Sequence, residues 1–80
     1  MPYITAGRRI ALSELDSAKS SGELNYLITR LIIDYCREKC VSYQTINDIM
    51  GALEGAKLEF YRRVAAPYEA HKIIENGDVY

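Results

Sequence analysis

Apolar residues in the last sixty positions of the chain recur at spacings of three and four. Leu24, Leu27, Ile28, Leu31, Ile32 and Tyr35 form one stripe, and Ile46, Ile49, Met50, Leu53, Phe60 and Val64 form a second. This is the period of amphipathic helices that bury one face, and no strand-like alternation interrupts it. Ser20, followed three residues later by Glu23, matches a capping box and predicts the start of the first helix. Arg37, Glu38 and Lys39 mark its solvated last turn, before a short connection through Cys40 and Val41. Ser42 is the next N-cap, and a second helix then runs to Ala66, roughly 24 residues or about 36 Å. Pro67 disfavours helical geometry at Ala66 and removes a backbone donor, so the helix should kink or restart there. A further segment with Pro67 in its first turn reaches Glu75, and Asn76-Gly77 ends it, Gly77 suiting a left-handed C-cap before the tail Asp78–Tyr80. The short connection predicts that the two main helices pair as an antiparallel hairpin.

Residues 1–20 read differently. Pro2 excludes a regular start, and Gly7 should break an early helix, leaving only Ile10–Lys19 for a short helical turn or two. Met1–Ile4 could run extended and pack on a neighbouring subunit. The organisation expected is an N-terminal arm over 1–20 and a helical hairpin domain with a C-terminal tail over 21–80.

Eighty residues make one domain, and a chain of that size buries only a little over ~60% of the surface its unfolded form exposes, so extra support is expected. Cys36 and Cys40 are the only cysteines. At a helical separation of four their Cβ atoms lie about 5–6 Å apart, too far for a disulfide between them. With one histidine, His71, the set Cys36, Cys40 and His71 cannot close a four-ligand zinc site unless a carboxylate or a second subunit helps. Self-association remains, and 49% hydrophobic residues with seven tyrosines suit it. The fold class expected is therefore all-α, a homo-oligomer of helical hairpins with a kinked long second helix and a short terminal helix. A net charge of −1 argues against general nucleic-acid binding. No apolar run approaches a membrane span and the N-terminus lacks a signal-peptide core, which places the expected location in the cytoplasm.

Two groups of side chains carry candidate chemistry. Gly51, Ala52, Gly55 and Ala56 remove bulk from one face of the second helix, each glycine costing roughly 1 kcal/mol of helix propensity. That face, with Phe60, could pack inside the subunit, form an oligomer interface or admit a ligand against bare backbone. Lys57, Tyr61, Arg62, Arg63 and Tyr68 gather cations and aromatic rings within three turns. Glu59 should pair with Arg63 at a separation of four, leaving Arg62 freer. A guanidinium grips phosphate with parallel hydrogen bonds and tyrosine can stack on a base, so this cluster is the candidate ligand site for a small anionic nucleotide. Asn25, Thr29, Asn47, Asp48 and Glu54 lie among the apolar stripes as candidate interhelical hydrogen-bond partners. Nothing organises Asp48, Glu54 and Glu59 into an acid–base pair, and no nucleophile motif or phosphate loop is present, so neither an enzyme nor a cofactor is expected.

The motifs G-E-L-N-Y at 22–26, Y-Q-T-I-N-D at 43–48, A-K-L-E-F-Y-R-R-V-x-x-P-Y-E from Ala56 to Glu69 and the final E-N-G-D-V-Y resemble a family of small proteins common in bacteriophage genomes. Asp48–Pro67, with its small residues, aliphatic face and R-V-A-A before Pro67, is also similar to the C-terminal helix of phage sponge proteins. The second resemblance implies a helical oligomer in the host cytoplasm that sequesters a cyclic oligonucleotide or ADP-ribose-type immune signal without cleaving it. Arg62 and Arg63 would then hold phosphate, and Tyr61 or Tyr68 would stack on a base. The alternative is a protein-interaction module that docks on a host or phage protein.

Overall fold

A computed structural model describes residues 4–12 and 17–80, and every regular element among them is helical. The order is α1 (Ala6–Leu12), α2 (Ser21–Lys39), α3 (Tyr43–Phe60), a π turn (Tyr61–Ala65) and α4 (Ala66–Asn76). The chain divides into two units, Met1–Thr45 and Ile46–Tyr80.

In the first unit, α1 corrects the expectation that Gly7 keeps the arm from helix before Ile10. Thr5 caps it: its Oγ1 accepts the Arg8 N–H at 3.2 Å and its carbonyl accepts the Arg9 N–H at 3.0 Å. Two satisfied donors outweigh the propensity that Gly7 forfeits. Apart from Ile4, the extended start expected for Met1–Ile4 lies outside the described residues, as do Ser13–Asp16 of the expected Ile10–Lys19 helix.

Helix α2 begins where Ser20 predicts. Ser20 is extended (φ −151°, ψ 166°) and its Oγ accepts the Glu23 N–H at 3.1 Å. The reciprocal half of the box is shifted by one residue, since the Glu23 carboxylate accepts from Lys19 N–H at 3.0 Å. Within α2, Thr29 Oγ1 donates to Asn25 Oδ1 at 3.2 Å, so this polar pair bonds along its own helix. The helix ends at Cys40, a non-glycine residue at φ 64° and ψ 151°, where a Cβ is crowded by backbone. Cys36 and Cys40 are both free thiols.

The connection is tied together by Thr45. Its N–H donates to Ser42 Oγ at 3.2 Å, which makes Ser42 the cap of α3 as expected, and its Oγ1 donates to the Cys40 carbonyl at 2.6 Å. Thr45 is only 3% exposed, and no apolar side chain among the described residues is buried to the same degree.

The second unit, Ile46–Tyr80, is one long bent helix and a short tail. In a regular α-helix Pro67 would have no N–H for the Arg63 carbonyl and its ring would strike that group. The preceding turn widens instead, and the Ala66 N–H reaches back five residues to the Tyr61 carbonyl. The kink expected at Pro67 thus takes the form of a π turn, which adds one residue and rotates α4 by about 100° relative to the α3 stripe. At the far end Gly77, at φ 85° and ψ 166°, donates to the Ile73 carbonyl at 2.8 Å and stops α4, one residue beyond the Glu75 expected.

Candidate anion-binding cluster on the bent helix

Glu59 sits in the last turn of α3, and Arg62 and Arg63 follow it at helical separations of three and four, so both side chains can fold back over it. Both do. Arg62 Nη2 donates to Glu59 Oε1 at 2.8 Å, and Arg63 Nε donates to Oε2 at 2.6 Å. The expected Glu59–Arg63 pair is therefore present, but Arg62 is not free of the protein's own acids. The carboxylate bridges the two guanidinium groups and is 26% exposed, against 69% for the Arg62 side chain and 70% for that of Arg63. The Arg63 hydrogen bond, and after it that of Arg62, holds the Glu59 carboxyl below the usual carboxylate range. Three charges sum to one net positive, carried on guanidinium edges that face solvent.

The remaining members of the candidate site lie elsewhere. Lys57 and Tyr61 are four apart on one side of the helix, while Glu59, two residues from each, points to the other. Tyr61 is half exposed. Tyr68 is also exposed, but one face of its ring is taken by Lys72, whose Nζ lies 5.6 Å from the ring centroid. Lys72 and His71 both reach Glu75, at 3.3 and 2.9 Å. The bent helix thus separates the five candidate residues into an arginine pair around Glu59, a Lys57–Tyr61 face, and Tyr68 with Lys72.

The small-residue face is open. A Cβ built on Gly51 or Gly55 meets nothing within 4 Å, and Ala52, Ala56 and Phe60 are exposed beside them. An open cleft of about 430 Å³ lies instead at the end of α4, between Glu69, Lys72, Ile73 and the tail residues Asp78–Tyr80. It contains none of the five candidate residues. No group of three His, Cys, Asp or Glu side chains among the described residues could hold a metal ion, and no helix among them is long and apolar enough to cross a membrane.

A family model described as Domain of unknown function (DUF6899) matches residues 1–79. The chain belongs to the DUF6899 family. No curated protein and no solved structure matches it. The family description names no activity, so the functional reading of this DUF6899 chain rests on its own geometry. Glu59 as a bridge to both arginines was readable from the two helical spacings. The π turn was not, because Pro67 is compatible with a kink, a break or a widened turn.

Proposed function

We propose that this protein acts by binding rather than turnover, as a helical interaction module that associates with copies of itself. The observation behind this reading is the apolar stripe of the second unit. Ile46, Leu53, Phe60 and Val64 are 38 to 63% exposed, and a single bent helix has no second element in its own unit to cover them. Leu24, Ile28 and Leu31 of α2 are exposed to a similar degree. Completing the burial of these seven side chains is worth roughly 5–10 kcal/mol, taking half of the 1.5–3 kcal/mol for each full side chain. Association itself costs about 4–15 kcal/mol, so both stripes must be covered for an assembly to hold. Copies of the chain covering both stripes would do this, and Gly51, Ala52, Gly55 and Ala56, beside Phe60, would let partner backbones approach closely.

A second reading is sequestration of a small nucleotide-derived signal, in the phage and host setting that the sequence motifs suggest. It is favoured by one observation, the convergence of two well-exposed guanidinium groups on a single carboxylate, which presents paired donors to a phosphate. Symmetry in an assembly would multiply that pair. Calorimetry with cyclic dinucleotides, cyclic trinucleotides and ADP-ribose isomers, run beside light scattering, separates the two. Assembly with no ligand bound, together with a stoichiometric protein partner, supports the module alone. Saturable binding of one compound that is recovered unchanged supports sequestration.

A further inference from the structure

The bridging position of Glu59 points to a role in setting what the arginine pair can bind, an inference that rests on the second reading above. We propose that Glu59 is a built-in competitor: its carboxylate occupies the place between Arg62 and Arg63 that a phosphate of an incoming ligand would take. Three features of the cluster carry this. Each carboxylate oxygen serves a different guanidinium, Oε1 for Arg62 at 2.8 Å and Oε2 for Arg63 at 2.6 Å, so the two cations are drawn together around one anion. The carboxylate lies beneath them at 26% exposure while both guanidinium groups remain about 70% exposed, so an anion arriving from solvent meets the cations first. These bonds use one nitrogen of each group, Nη2 of Arg62 and Nε of Arg63. A phosphate monoester or a pyrophosphate, with more acceptor oxygens and a larger charge than a carboxylate, can engage the outer nitrogens and displace the inner bonds.

The chemical class selected is a phosphate monoester or pyrophosphate rather than a carboxylate, since a second carboxylate would only match the group already in place. Neutralising Glu59 removes the competitor and leaves a net charge of two on the pair. Two exposed ion pairs are each worth little, and together their loss corresponds to a gain in phosphate affinity of roughly 2- to 30-fold.

The test is calorimetric titration of the full chain and of Glu59→Gln with pyrophosphate and with ADP-ribose at low ionic strength, helix content being checked by circular dichroism. Glu54→Gln, which removes the same charge from the same helix away from the arginines, is the control. Tighter binding by Glu59→Gln than by the unsubstituted protein, with Glu54→Gln unchanged, supports the proposal. Equal or weaker binding by Glu59→Gln, or an equal gain in Glu54→Gln, overturns it while leaving the sequestration reading in place. If neither probe binds any of the three proteins, that reading fails and this inference with it.

Discussion

Replacing Cys40 with glycine should stabilise the protein, and the reason lies in one pair of torsion angles. At φ 64° and ψ 151° Cys40 occupies a region open to glycine and strained for any residue with a Cβ. Strain of this kind is worth about 1–3 kcal/mol. The Cys40 side chain is exposed and its thiol is free, so its removal loses little packing and no covalent bond. Its carbonyl, which accepts from Thr45 Oγ1 at 2.6 Å, is backbone and survives the substitution. Glycine gains conformational freedom in the unfolded chain, which offsets roughly 0.5–1 kcal/mol, leaving a net stabilisation of about 0.5–2 kcal/mol. For a chain of this length each kcal/mol raises Tm by roughly 4–8 °C. The assay is thermal and urea unfolding followed by circular dichroism at fixed protein concentration, with Cys40→Ala alongside. Alanine keeps the Cβ and should stay within about 0.5 kcal/mol of the unsubstituted protein. A glycine variant no more stable than the alanine one would refute the account of the α2–α3 connection.

Further outcomes follow from the same geometry. Thr45→Val removes the hydroxyl of the most buried side chain among the described residues and leaves the Cys40 carbonyl without its donor, and should destabilise by about 1–3 kcal/mol in the same unfolding assay. Pro67→Ala restores an N–H to the turn and removes the ring, so the π turn should close to a regular α-helix. Hydrogen exchange would then show a new protected amide at position 67, and a persisting link from Ala66 to Tyr61 would contradict the assignment of the π turn to the proline. Glu59 has its folded-state pKa below the unfolded value, so its contribution to stability is complete above the unfolded pKa and is lost as pH falls through the folded one. The difference in urea midpoint between the unsubstituted protein and Glu59→Gln should therefore be constant near neutral pH and shrink on acidification below the usual carboxylate range. A difference that grows on acidification would refute the bridging role.

The features legible in the sequence are those set by neighbours within one helical turn. Ser20 with Glu23 marked the start of α2, Ser42 the start of α3, and Asn76-Gly77 the end of α4, because capping depends on a hydroxyl, a carboxylate or a glycine at a fixed offset. The Glu59–Arg63 pair was legible for the same reason. The sharing of Glu59 by Arg62 follows from the separation of three, which also brings side chains together on a helix and which the separation of four alone does not show. Helix α1 starts before the Ile10 that Gly7 alone suggests because the cap at Thr5 outweighs the propensity of a single glycine. The π turn and the strained Cys40 lie beyond such rules, since each is one of several backbone solutions to the same local constraint. The candidate site was legible as a group of residue types but not as a place, because the side of a helix on which each residue falls separates Lys57 and Tyr61 from the arginines.

The proposed covering of the apolar stripes by copies of this chain is decided by the molar mass in solution. Sedimentation equilibrium across the micromolar range should give a multiple of 9.1 kDa, falling toward the single-chain value when Leu53, on the exposed α3 stripe, is replaced by Asp. A mass of 9.1 kDa at every concentration, with Leu53→Asp unchanged, would contradict the account.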